Sequence, residues 1–439
     1  MSPDRDRTDG PGGAGAGAPG PDDVGTQGPA KGALPAVDTR LLVREEGIKG
    51  YVGEFRRKLR SGELGSLPVI LAVIIIWTVF GSLDSTFLSA QNLSDLSQQI
   101  VGTGMIAVGI VFVLLLGEID LSVGSVSGLC AAIFAVLNVL NGMNEWLALL
   151  IAIVGGAAVG LIQGFFFAEV GVPAFVVTLA GNLAWNGLML QVLGTSGTVN
   201  IPSESVVSKL YSTIYHSPAA AYLTAAVGVG LFLAAQLLDA RRRRAARVPS
   251  RPIAEIVLRT AVLAAIAFVT AYILNQYQGL PLALLVFLIL LVILDFVLRR
   301  TTYGRRIFAV GGNIEGARRA GISVPFVRMS VFSISGTMAA VGGIFLAGQI
   351  QSASQTSGGG NLLMNVIAAA VIGGTSLFGG RGSVWSALLG ALVIGSIQSG
   401  MNIMGVSNAV QFMITGSVLL AAVVVDSLSR RSQKAAGRA

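Results

Sequence analysis

The chain reads as all-α, a polytopic bundle of about twelve membrane-spanning helices with both termini cytoplasmic, and three observations lead there. Hydrophobic residues are 53% of the 439, charged residues only 12%, and mean hydropathy is +0.75. That balance excludes a water-soluble domain and places the core in lipid and in the protein itself. Apolar runs of about 20 residues, the length that crosses a bilayer, recur twelve times. The basic residues then fall on alternate loops: of the 30 Lys and Arg, only Lys209 lies on a loop that twelve spans leave outside, as expected where positive charge is retained on the cytoplasmic side. The net charge of +8 thus belongs to topology and to anionic lipid headgroups, not to nucleic acid.

Residues 1–60 come first. The Gly/Pro/Ala/Asp-rich opening has no apolar core for a cleavable signal and predicts a disordered cytoplasmic tail. Its Gly15, Gly17 and Gly20 match a dinucleotide fingerprint only by chance, because no strand precedes them. Ile48, Tyr51, Val52, Phe55 and Leu59 then recur at helical spacing among Lys49, Arg56, Arg57, Lys58 and Arg60, which predicts a basic amphipathic helix on the membrane face. The apolar membrane region, 61–430, follows. Its spans are expected near 66–83, 95–116, 122–140, 146–168, 173–194, 219–238, 253–274, 280–298, 329–348, 361–377, 384–404 and 408–426, with the second, third and tenth as candidates for broken or re-entrant helices. Residues 431–439 form a short cytoplasmic tail.

The segment 299–328 organises the rest. Seven arginines (Arg299, Arg300, Arg305, Arg306, Arg318, Arg319, Arg328) make it too polar to span. Gly311, Gly312 and Asn313 predict a tight turn, and 315–319 a short helix stopped at Gly321. A topology signal alone needs no such structure; a docking surface does. Two further spans carry small residues at close intervals, Gly156, Gly160 and Gly164 on one and Ser335, Ala339 and Gly343 on the other, a pattern that lets helices approach closely. An internal echo links GEIDLSVGS (117–125) with GGTSLFGGRGS (373–383), each joining an inward span to an outward one, as in transporters built from repeated halves.

Catalytic machinery is missing. There is no phosphate-binding loop, no zinc-protease or serine-hydrolase motif, and a single histidine, His216, cannot serve a metal or triad. Cys130 is the sole cysteine, so no disulfide framework exists. Carboxylates near spans sit mostly at their ends, a thin set for ion coupling. Glu118 and Asp120, preceding Ser122, are read as a cap or gate at the following helix N-terminus. Amides within spans, Asn182 and Asn186 around Trp185, then Gln398 and Asn402, suit a neutral polyhydroxylated solute; interhelical glue is the competing role.

Four separated motifs then carry a resemblance: GEIDLSVGS (117–125), VPAFVVTLAGNLAWNG (172–187), YGRRIFAVGGNIEGARRAGI (303–322) and IAAAVIGGTSLFGGRGSV (367–384). The chain resembles the monosaccharide permeases of bacterial ATP-binding-cassette importers, the ribose/xylose type, and 218–281 looks like the extra pair of spans of xylose permeases. The resemblance implies a multi-pass cell-membrane permease importing a pentose such as xylose. Its implied partners are a second permease copy, a separate ATP-binding subunit and an extracellular sugar-binding protein. It implies no cofactor in this chain, ATP and magnesium being handled by the partner. It also implies that Gly311, Gly312, Asn313, Glu315, Ala317, Gly321 and Ile322 contact the ATPase. Two departures stand out: Gly316-Ala317 replaces a common Ala-Ala, and Leu363-Met364-Asn365 replaces a common Glu-Leu-Asp. The competing readings are an ion-coupled secondary sugar carrier, a permease of the same family for another small polar solute, and a non-transporting membrane scaffold.

Overall fold

The computed structural model describes residues 67–246, 250 and 252–435, with side chains through Leu428. The expected tail and amphipathic helix of residues 1–60 lie outside them. All twelve apolar runs are helices. Ten are long and apolar enough to cross a membrane, and two, α1 (Leu67–Leu83) and the eleven-residue α13 (Leu362–Ile372), are shorter. The protein is a polytopic helical membrane bundle.

The centre is built by α2 (Ala90–Leu115), α3 (Val123–Ala135, carried on by a wide turn to Leu140), α4 (Glu145–Phe165, with a similar turn to Val170) and α12 (Val324–Ile350). The apolar stretch of α2 is 83% buried and that of α12 is 72% buried. A helix apolar all round belongs inside such a bundle. The second span, expected as a candidate break, is continuous; Ser89 starts it early by accepting the Asn92 N–H at 3.2 Å. The glycine ridge of α4 lies directly on the α12 backbone. A methyl on Gly156 would sit 2.5 Å from the Gly336 carbonyl, and one on Gly164 2.8 Å from Met329 Cα. On α12, Gly336 meets this ridge, while Ser335 faces Gly109 of α2 and Gly343 faces Ser127 of α3. Close backbone approach supplies the packing that lipid-solvated helices cannot obtain from the hydrophobic effect.

Around this core lie α5 (Ala174–Leu193) against α3, and α9 (Leu282–Arg300) against α2. The short α13 packs on α14 (Trp385–Ile403) and α2, and α15 (Asn408–Ala435) lies outermost, helical through the first residues of the expected C-terminal tail. Polar ties cross the layers: Trp77 Nε1 donates to Ser396 Oγ at 3.0 Å and Ser399 Oγ to Asn92 Oδ1 at 2.7 Å. The pair α7 (Pro218–Ala245) and α8 (Ile253–Asn275) packs mainly on itself, and each is only 11% buried.

Segments read as external gather at one end. There β1 (Thr198–Asn200) pairs antiparallel with β4 (Ser352–Ser354), and β2 (Ile214–Tyr215) with β3 (Leu280–Pro281). The helix α6 (Val206–Ser212) joins them, its Val206 N–H held by Glu145 Oε2 at 2.8 Å. The chain after β4 does not stay at that end. The carbonyls of Ser357 and Gly358 press on α3 at Gly128 and Gly124, beside the level where Gly343 of α12 meets Ser127. Gly343 is seven residues before the end of α12, so the loop enters by about 10 Å at 1.5 Å per residue. The tenth span is thus a re-entrant loop followed by the half-length α13.

Candidate coupling surface and polar core

At the opposite end, 299–328 folds as two short helices instead of a loop with one. Thr301 caps α10 (Thr302–Gly312), its hydroxyl oxygen accepting the Gly304 N–H at 3.2 Å. Gly311 and Gly312 close this helix and make no turn; the bend falls on Asn313 alone. Asn313 Oδ1 then accepts the Gly316 N–H at 2.8 Å and starts α11 (Ile314–Arg319), which stops before Gly321 at φ +77° as the sequence predicts. The helix α10 went unforeseen, although Gly304, Ile307 and Val310, all buried, recur at helical spacing beneath exposed Arg305 and Arg306.

The pair is anchored inward and bare outward. Ile307, Val310 and Ala317 are buried, whereas Gly312, Asn313, Glu315, Arg318, Arg319 and Gly321 are exposed and Ile322 is half-buried. Gly311 is packed so tightly that an added methyl would strike the Leu115 carbonyl and lie 3.0 Å from Gly380 N. Gly380 N–H in turn donates to Leu115 O at 2.9 Å, and Gly117 and Gly379 abut. The two echoing segments therefore meet each other and the α10–α11 pair at one joint. Tyr303 Oη donates to Ser330 Oγ at 2.8 Å, tying the pair to α12, and Arg299 at the end of α9 donates to Ser383 Oγ at 2.6 Å, tying that helix end to the 373–383 turn. Gly316, a departure from the family pattern, leaves α11 formed; a methyl there would press on the capping Asn313 side chain at 3.2 Å.

Above this joint lies a buried polar knot. Asp120 is 2% exposed. Its Oδ1 accepts the Ser122 N–H at 2.9 Å and the Ser122 hydroxyl at 2.7 Å, and its Oδ2 accepts the Ser335 hydroxyl at 2.9 Å. With its proton committed to Asp120, Ser122 Oγ accepts from Gln163 Nε2 at 2.9 Å. One carboxylate thus joins the α2–α3 turn to α4 and α12. Burial pushes its carboxyl upward and the serine donors pull it back. The expected capping takes a different form: Asp120 fixes Ser122, the residue at the head of α3, while Ser122 makes no side-chain cap. Glu118 caps nothing. It faces Arg328 at 4.0 Å, and burial raises its carboxyl while that guanidinium opposes the rise. Arg328 also lies 4.3 Å over the Phe167 ring.

The expected solute-path residues are not brought together. Trp185 reaches the knot: its buried indole N–H has no partner among the described residues, and it crowds Gly181 beside the Gln163 amide. Asn182 and Asn186 are half-exposed on α5, whose apolar stretch is only 22% buried. On α14, far from α5, Gln398 is half-buried and Asn402 is exposed, accepting from Gln411 Nε2 at 2.9 Å across the turn into α15. No group of three or more metal-binding side chains occurs among the described residues.

Comparison with known proteins says what kind of membrane bundle this is. Residues 92–423 match the family model described as branched-chain amino acid transport system / permease component. The chain belongs to this permease family. It is a multi-pass cell-membrane transport component and not an enzyme. It is 38% identical to the xylose transport system permease protein of Escherichia coli K12, over 85% of this chain and 94% of that one. It is 34% identical to the protein of the same name from Haemophilus influenzae, over 85% and 99%, and 30% identical to the ribose import permease protein of Bacillus subtilis, over 83% and 94%. No solved structure matches the chain.

Proposed function

We propose that this permease is the membrane subunit of an ATP-driven importer for a pentose, xylose first. The observation that carries the reading is the α10–α11 pair, exposed on its outer face and locked by Gly311 onto the ends of the central helices. A partner pushing on that pair moves the α2 end, the 373–383 turn and α12 together, which is what switching between outward and inward access requires. Among the residues assigned to coupling, Gly312, Asn313, Glu315 and Gly321 form the docking surface, while Gly311 and Ala317 fasten it and Ile322 borders it. ATP and magnesium act in the partner.

The solute class rests on the xylose and ribose permeases it resembles. The clustering of loops at two ends supports twelve traverses, the tenth made by the re-entrant loop with α13, and cytoplasmic termini. In this reading 61–430 is the permease domain. The unpaired amides of α5 are where a second copy closes the path, and the β1–β4 and β2–β3 end receives the sugar-binding protein.

Gentle solubilisation, capture by a C-terminal tag and mass spectrometry of the captured complex test this. An ATP-binding subunit in near-equal amount is expected; its reproducible absence from folded permease sinks the reading. The buried Asp120 favours one second reading, an ion-coupled carrier acting alone. That reading requires uptake that an uncoupler abolishes and ATP depletion spares.

A further inference from the structure

A cavity of about 200 Å³ lies between α3, α12 and the re-entrant loop, under the β1–β4 pair. Of the residues singled out from the sequence only Gly343, chosen for close packing, lines it. Pockets for drug-sized ligands run about 300–1,000 Å³; this one suits a smaller ring. Its polar wall is made of Ser127 on α3, Gln349 on α12, and Ser354, Thr356 and Ser357 on the loop, with alanine, leucine and isoleucine beside them and no charged residue. The Gln349 amide makes no hydrogen bond among the described residues. Ser354 and Thr356 hydroxyls lie 3.0 Å apart, and Ser127 Oγ donates to Gly124 O at 2.6 Å, keeping its lone pairs for another donor.

We propose that this cavity is the resting site of the solute during passage, and that it takes an uncharged polyhydroxylated ring. Hydroxyls and an amide can both donate and accept, which matches a sugar edge, and the aliphatic wall matches its C–H face. A zwitterionic amino acid brings two formal charges, for which the wall holds no counter-charge, and burying them unpaired is costly. The two sides of the wall have different anchors: its loop is wedged on α3 at Gly128, and its opposite side is α12, the helix tied to the inner joint through Tyr303 and Ser330. A shift of α12 alters the cavity directly.

This inference rests on the importer reading, and the test separates the two. The full complex is reconstituted in proteoliposomes, and D-xylose, D-ribose and L-leucine uptake and ATP hydrolysis are measured. Gln349→Leu and Ser127→Ala should lower D-xylose carried per ATP hydrolysed about three- to tenfold, the worth of one net hydrogen bond, with sugar-free hydrolysis unchanged. A structural defect would lower both. In parallel, Gln349→Cys is labelled with a thiol reagent, Cys130 being the sole native cysteine and fully buried; D-xylose should slow the labelling and L-leucine should not. If wild type carries neither pentose, the importer reading fails. If wild type carries D-xylose while both variants keep its ratio and labelling ignores the sugar, the cavity proposal alone is overturned. Protection by L-leucine instead overturns the uncharged-ring assignment.

Discussion

Two helix pairs in this protein invert what their lengths suggest. The pair α7–α8 is long, apolar and able to cross a bilayer twice, yet it is 11% buried and held mainly to itself. The pair α10–α11 totals seventeen residues and crosses nothing, yet it is capped at Thr301 and Asn313 and pinned at Gly311. Hydropathy reports which segments lipid will accept. It says nothing about which segments are fastened to the core, and that depends on backbone contact and satisfied caps.

The comparison breaks most visibly at Gly311. Gly311→Val forces a branched side chain into the Leu115 carbonyl and should cost about 3 kcal/mol, seen as a lower unfolding temperature in detergent together with loss of uptake. A variant with wild-type melting and uptake would show that the joint is loose. Asp120→Ala comes next. It leaves the Ser122 N–H and the Ser335 hydroxyl without their acceptor, while the Ser122 hydroxyl can turn to Gln163 Oε1 at 3.0 Å; about 2 kcal/mol of stability should be lost, whereas Asp120→Asn should recover most of it. Equal melting of the two variants would remove the carboxylate from the account of the core.

Asn313→Ala should cost about 1 kcal/mol, the worth of a helix cap, and because the cap is on the exposed face the loss should register as ATP hydrolysis without matching uptake. Coupled transport at the wild-type ratio would refute the docking role. The smallest effect is expected from excising α7–α8. Ile214 lies opposite Pro281, and Leu282 N–H donates to Thr213 O at 2.9 Å, so joining 216 to 280 leaves the flanking ends already adjacent. Uptake in the excised form should match wild type per folded molecule, and its collapse would promote the outer pair to a working part.

Much of the fold was legible because length and charge alternation are one-dimensional signals. Each of the twelve runs appears as a helix, and the 299–328 segment ends in the expected Gly321 stop. The tenth run was expected as a candidate break, but the half-length of α13 was not legible, because averaging over 361–377 passes across Gly373, Gly374, Thr375 and Ser376, and the packing of Ser357 and Gly358 on α3 leaves no mark in the sequence. Helix α10 escaped because Gly311 and Gly312 were read as part of a tight turn, whereas they close the helix and Gly311, like Gly304, packs against neighbouring backbone. The polar residues chosen for their chemistry were a partial guide. Gln398 was singled out, but its neighbours Ser396 and Ser399 make the interhelical bonds. Hydroxyls in SASQTS (352–357) form the cavity wall, and a short serine-rich loop carries no mark that distinguishes it from a solvated one.

The re-entrant loop also sets how thick the barrier is. An eleven-residue helix is about 16 Å long, roughly half the hydrocarbon thickness of about 30 Å. Polar backbone at that depth persists only where protein or water solvates it, and here the Ser357 and Gly358 carbonyls are pressed on α3. What insulates the two compartments at this place is a septum of a few helical turns. A solute held beside the loop would have about half of the hydrocarbon thickness left to cross, and a transport cycle would have only that short plug to open without letting ions follow.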